Sequence, residues 1–327
     1  MNLSKSILVC IILTTLFFLS IVVFNFKRQT SNSTNDLYFS NQEIRTFTEN
    51  FIYSTKEALD ICVYSISDPN ILFYLEQLIK KGIKVRIITE NSNLKFVESF
   101  LDYDIQLFSD DETGLMHCKY MIKDNELLWT GSANLTQTGM DCNTNNIYIT
   151  DNQKIIETFS DHFNALVTGN ISDYYMSKNH GKVYFSQYDK TFEVIINELS
   201  KAKKSVKIAM YAFSDLRIVN FLRILSAFGI RIYVIADKEW NSLGSYSVVD
   251  KLSDFSFACL DLNENGKMHE KFLVIDDKTV IFGSYNLTLS ANDKNHEVII
   301  VSNEKTIVDK FVYHFEDVLD KIKRGYY

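Results

Sequence analysis

Proline and glycine are scarce. The 327 residues hold one proline, Pro69, and eleven glycines. That leaves little room for a long flexible linker, so structural elements must follow one another closely. Cysteine is sparse and unpaired in pattern: Cys10, Cys62, Cys118, Cys142 and Cys259 include no Cys-x-x-Cys. Such an odd, scattered set argues against a disulfide framework or a zinc site and reads as buried free thiols. An excess of positive charge is missing too. The formal charge is −7, and residues 1–35 carry Lys5, Lys27 and Arg28 with no acid, which leaves −10 for the rest. An acidic body lacks the clustered lysine and arginine that neutralise phosphates, and this counts against nucleic acid without excluding a local basic groove. Disorder is excluded by 46% hydrophobic and 23% charged residues. The length suits one large domain or two ordinary ones.

Residues 7–24, ILVCIILTTLFFLSIVVF, carry no charge. As a helix they would extend about 27 Å, near the thickness of a bilayer core. Eighteen residues is long for the apolar region of a signal peptide, and no Ala-x-Ala-like site follows. The expectation is a single N-terminal transmembrane anchor with a polar stalk, residues 1–35, and hence a single-pass membrane location. Basic residues flank the run on both sides, so the side of the membrane is left open.

The remainder reads as a duplication. Tyr38-Phe39-Ser40 recurs as Tyr184-Phe185-Ser186, ALDICVYSISD (58–68) as KSVKIAMYAFSD (204–215), and IKKGIKVRIITE (79–90) as LSAFGIRIYVIAD (225–237). These matches put Tyr64 over Tyr211, Asp68 over Asp215 and Gly82 over Gly229. Each half therefore predicts helix, strand, helix, glycine turn, strand, a variable stretch, and a β-hairpin. The fold class is α/β, two tandem sandwiches with a mixed sheet in each half. The expected domains are 36–176 and 177–327, with the break inside 169–182.

The hairpins carry the chemistry. MHCKYMIKD (116–124) and MHEKFLVID (268–276) share Met-His-x-Lys and an aspartate five residues after the lysine. Residues two apart on a strand face the same way, so His117 pairs with Lys119 and His269 with Lys271. Downstream lie Gly131-Ser132-Ala133-Asn134 and Gly283-Ser284-Tyr285-Asn286, where glycine allows close approach of backbone to a ligand and Ser and Asn offer neutral hydrogen bonds. Aligning 145–150 with 296–301 sets Asn146 against Glu297. If a pseudo-two-fold axis joins the motifs, two ammonium groups and the Ser and Asn side chains suit a phosphoryl group with developing charge. One imidazole can attack phosphorus while the other moves the proton of the leaving alcohol. A carboxylate such as Glu297 can orient an imidazole. No metal or other cofactor is called for.

His-x-Lys-x4-Asp followed by Gly-Ser-x-Asn resembles the signature of the phospholipase D superfamily. His117, Lys119, Asp124, Ser132 and Asn134 match it, as do His269, Lys271, Asp276, Ser284 and Asn286. The resemblance covers roughly residues 36–327. It implies two α/β domains with the active site between them and metal-independent phosphodiester cleavage through a phosphohistidine. It also implies that Asp124 and Asp276 rank below His and Lys, serving structure or the far side of the site. His117 is read as nucleophile and His269 as acid/base. The absence of a second acid opposite Glu297 makes the two histidines unequal.

Four functions are compatible with this reading. A membrane-anchored phospholipase D, releasing phosphatidic acid and a head group, stands first. The others are a nuclease acting on DNA or RNA, transphosphatidylation of the cardiolipin-synthase kind, and a phosphate- or lipid-binding protein without turnover. The expected partner is a phospholipid membrane, and no protein partner is required because both motifs lie in one chain.

Overall fold

The computed structural model describes residues 34–100, 106–109, 114–170, 182–242, 248, 251–252, 255–262 and 266–326. The apolar run 7–24 and most of the expected break at 169–182 lie outside them. Among the described residues no helix is long and apolar enough to cross a membrane.

Each half folds around a mixed seven-stranded sheet. The first contains β1 (Asn35–Tyr38), β2 (Ala58–Val63), β3 (Lys84–Thr89), β4 (Gln106–Ser109), β5 (Lys119–Lys123), β6 (Leu127–Gly131) and β7 (Ile147–Thr150), in the order β1-β7-β6-β5-β2-β3-β4. The second contains β8 (Val183–Phe185), β9 (Ser205–Met210), β10 (Arg231–Asp237), β11 (Ser256–Leu260), β12 (Lys271–Ile275), β13 (Thr279–Gly283) and β14 (Val298–Ser302), in the order β11-β10-β9-β12-β13-β14-β8. Strands β2, β3 and β4 run parallel, as do β9, β10 and β11, and the hairpin strands pair antiparallel. The stretches expected to be merely variable thus contribute an edge strand to each sheet, and residues Asn91–Phe100 form a helix. Strands this short leave a weak alternation signal in sequence.

Local chemistry explains the repeated punctuation. Asp68 accepts from the backbone N–H groups of Asn70 and Ile71 and caps the helix Pro69–Lys80; Asp215 caps Leu216–Ala227 in the same way. Gly82 and Gly229 follow those helices at φ 77° and 84°, the left-handed conformation that closes a helix C-terminus. One apolar core lies in each half, and a third is shared between them. The shared core takes Tyr120 from β5 and Cys118 just before it, Phe272 and Phe282 from β12 and β13, and Phe311 and Phe315 from the last helix, Lys305–Lys323. Cys62 and Cys118 are buried as expected, but Cys142 is exposed, because it ends a one-turn helix at the molecular surface.

Asp124 and Asp276 lie at the far end of the hairpins from the histidines. Each occupies a two-residue turn with positive φ (53° and 55°), which Asp tolerates better than most residues. Asp124 accepts from the backbone N–H groups of Lys56, Glu57 and Ala58, and Asp276 from those of Lys203, Lys204 and Ser205. Their role here is to hold backbone, and neither lines the cleft that holds the histidines. Partial burial alone would raise these carboxyls, but the backbone donors outweigh it and hold both below the ordinary carboxylate range. That contribution to stability is present above the unfolded carboxyl pKa and is lost as pH falls through the lower folded one. Asp276→Ala should therefore cost about 1–3 kcal/mol in urea unfolding at pH 7, and the loss should shrink in acid. A cost that grew in acid would contradict this role.

Candidate active site

The two halves meet by reciprocal backbone pairing. Met116 bridges His296, and 152 residues on, Met268 bridges Thr144. The His117 N–H donates to the His296 carbonyl (3.0 Å), and the His269 N–H to that of Thr144 (2.9 Å). Because 116 and 268, and 144 and 296, are equivalent positions, this is a local pseudo-two-fold. It brings both histidines to one cleft of about 630 Å³, also lined by Tyr64, Tyr211, Asn134 and Asn286.

Each histidine is held from the opposite half. His117 Nδ1 lies 2.8 Å from a Glu297 carboxylate oxygen, and His269 Nδ1 lies 3.0 Å from Asn145 Oδ1. Ser284 Oγ donates to Glu297 (2.6 Å) and accepts from the Val298 N–H; Ser132 Oγ donates to Asn145 Oδ1 (2.9 Å) and accepts from the Asn146 N–H. The two serines are fully buried. They fix the groups behind the imidazoles and do not face the cleft. Both holders accept a hydrogen bond from a serine, so each takes Nδ1–H from its histidine and leaves Nε2 free to react.

Asn145 is therefore the counterpart of Glu297, and the sequence match of Asn146 to Glu297 is one residue out. The register shows why: Gly131 pairs with Ile147 and Gly283 with Ile299. The offset of 152 that relates His117 to His269 thus continues through 145 and 297. The doublet Asn145-Asn146 hid the slip, and Asn146 is buried with neither amide atom hydrogen-bonded among the described residues. The glycines serve packing. A Cβ at Gly131 or Gly283 would sit 2.1 or 2.2 Å from the carbonyl oxygen of Asn146 or Val298. What approaches them is the neighbouring strand.

Lys119 and Lys271 are almost wholly buried, and each Nζ donates to the carbonyl of its own histidine (2.7 Å). Asn286 accepts from the Ala212 N–H, while Asn134 Oδ1 has no hydrogen-bond partner among the described residues. Several contributors escaped the motif reading. Tyr64 and Tyr211 set their rings 5.7 and 5.0 Å from His117 and His269. Glu90 and Asp237 accept from the N–H groups of Met116 and Met268 and so fix the strand entering each motif. All four were aligned by the duplication, which was the available signal. His162 and His296 are packing residues of the buried interface, and His314 pairs with Glu270.

Burial and the two lysines push both imidazoles well below the ordinary histidine range, which favours their neutral form. Burial likewise raises the Glu297 carboxyl, opposed by Lys119 and the Ser284 and Asn295 donors. Lys119 is lowered to about 8, mainly by burial and against the pull of Glu297; Lys271 is lowered by burial and by Lys119. Crowded cations in a dry site favour an anion. Sulfate, which stays a dianion across this range, should inhibit competitively and lose affinity as pH rises through about 8, where Lys119 gives up its proton. An affinity flat from pH 6 to 9.5 would contradict this electrostatic reading. Among the described residues no cluster of three or more His, Cys, Asp or Glu is placed to hold a metal.

The model of the family described as cardiolipin synthase, PLD-like domain, matches residues 49–167 and 195–319, about three quarters of the chain. A mitochondrial cardiolipin hydrolase of Chlamydomonas reinhardtii is 31% identical over 120 residues, 36% of this chain and 54% of that protein. A phospholipase D of Rickettsia conorii is 31% identical over 121 residues, 35% of this chain and 58% of that one. The chain spans about half the length of these curated relatives. The solved phosphatidylserine synthase of Haemophilus influenzae superposes with a TM-score of 0.70 at 11% identity, covering 88% of this chain and 86% of that one, a likeness of fold alone. With both halves matched separately by one family model, and both motifs converging on one cleft, the chain belongs to the phospholipase D superfamily, in its cardiolipin synthase PLD-like family.

Proposed function

We propose that this protein is a phosphodiesterase of the phospholipase D type that cleaves a phospholipid to phosphatidic acid and a free head group. One observation carries the reading: two histidines face a single cleft, each with Nδ1 occupied from the opposite half and Nε2 open. His117 Nε2 attacks phosphorus and the bond to the head-group oxygen breaks. That oxygen takes a proton from Nε2 of His269, whose protonated form the bound anion stabilises. Neutral His269 then removes a proton from water. The hydroxide attacks phosphorus, the phosphorus–nitrogen bond breaks, and phosphatidic acid leaves. Lys119 and Lys271 stabilise the charge on the non-bridging oxygens throughout. An alcohol can replace water in the second step, and the description of the matching family favours testing this. The membrane anchor at 7–24 is part of the proposal, since it would hold the site beside its substrate.

The test offers the purified full-length chain, in detergent and with EDTA, labelled phospholipid vesicles and single-stranded DNA in parallel. Release of phosphatidic acid, lost in His117→Ala and His269→Ala, is the expected result. Cleavage of DNA with lipid untouched would make the protein a nuclease and overturn the substrate assignment.

A further inference from the structure

The cleft is symmetric at its chemical centre and one-sided at its ends. Positions 152 apart are equivalent, yet Leu115 before His117 corresponds to Lys267 before His269, and Leu289 corresponds to Gln137. Leu115 lines the cleft and is 41% exposed; Leu289, between the lining residues Thr288 and Ser290, is 52% exposed. Leu216, 43% exposed, opens the neighbouring helix. The backbone segments that carry these leucines adjoin one another beside the cleft. The N–H groups of Ser214 and Asp215 both donate to the Leu287 carbonyl, which ties the start of the Leu216 helix to that of Leu289–Asp293. The Leu115 N–H donates to Asn295 just beyond that helix.

The opposite end is ionic. A recess of about 1080 Å³ includes His269 but not His117 among its lining residues. Its wall holds Lys267 beside Glu239 (3.6 Å) and Lys238 paired with Asp261. Tyr211 borders it, with Trp240 close by at 6.5 Å between ring centroids.

A phosphodiester that suits such a cleft has one apolar arm and one polar arm. A nucleic acid has polar arms on both sides of phosphorus and would leave the leucines against its ionic backbone. We infer that a glycerophospholipid binds with its diacylglycerol arm over Leu115, Leu216 and Leu289 and its head group in the Lys267 recess. Exposed leucines around the mouth also dip into the lipid surface, where burying apolar area is favourable. The inference rests on the phosphodiesterase reading and adds polarity to it. The head group departs on the side of His269, which protonates it, and in-line displacement leaves the attack to His117. This agrees with the carboxylate holder lying behind His117 and the neutral one behind His269.

The experiment compares kcat/KM on dioleoylphosphatidylglycerol vesicles with kcat/KM on soluble bis(p-nitrophenyl) phosphate, using the full chain. Leu115→Lys with Leu289→Gln installs the residues of the equivalent positions. The ratio of vesicle to soluble activity should fall at least about tenfold. Leu216→Gln, at an exposed first helical position, should lower the same ratio several-fold and serves if the double variant does not fold. An unchanged ratio in folded variants would overturn the inference. Cleavage of the soluble diester with vesicles untouched by the wild type would overturn it while leaving the phosphodiesterase reading intact. Inertness towards both substrates would overturn both.

Discussion

His117→Ala should lose at least about four orders of magnitude in kcat with lipid or soluble diester, because it removes the atom proposed to form the bond to phosphorus. Substrate binding should survive, since Lys119, Lys271 and the asparagines remain. His269→Ala should differ in kind. With a good leaving group such as p-nitrophenolate the first step needs little acid, so a burst of nitrophenol should appear before hydrolysis stalls. A burst in His117→Ala and none in His269→Ala would exchange the two roles. Imidazole added to His117→Ala should restore part of the rate, because the space left by the side chain opens on the cleft.

Glu297→Gln is the second large effect. The carboxylate, itself fully buried, accepts from Ser284, Asn295 and His117. Glutamine keeps the shape but can present an N–H to Nδ1, which would move the imidazole proton to Nε2 and block attack. The expected loss is about two to four orders of magnitude in kcat with KM little changed, in line with the effect of a wrong histidine tautomer elsewhere. Asn145→Asp is the informative partner. A carboxylate behind His269 stabilises its protonated form, so the alkaline limb of the kcat/KM profile should move upward while the acid limb stays with the His117–Glu297 pair. Below that pair's transition Nε2 of His117 is protonated and attack is lost. Loss of the Lys119 charge above about 8 adds to the alkaline fall that deprotonation of His269 sets, so activity should fall on both sides. Equal displacement of both limbs by Asn145→Asp would contradict the separate roles.

The sequence carried the centre of the site and missed its frame. His117, Lys119, His269 and Lys271 were legible because a strand repeats every two residues and because the motif occurs twice. The pseudo-two-fold arrangement followed from the duplication, and the paired bridges at 116/296 and 144/268 embody it. The holders were harder to read. Glu297 serves the histidine of the other half, a contact between residues 180 apart. Asn145 was masked by an identical neighbour, and on a strand a one-residue slip exchanges one face for the other. Ser132 and Ser284 were expected against phosphate but lie behind the histidines, since the turn after Gly131 and Gly283 directs their hydroxyls to the next strand. Asp124 and Asp276 share the motif with His and Lys, but five residues of strand separate them from the cleft and bring them to the backbone at the start of β2 and β9.

The most direct test is to quench the reaction in alkali within milliseconds of mixing, using phosphorus-32-labelled phospholipid, and to map the labelled peptide. Phosphohistidine is stable to alkali and labile to acid. A label is expected on the peptide containing His117, absent from His117→Ala and decaying at a rate compatible with turnover. A label on His269, or turnover with no labelled protein at all, would contradict it.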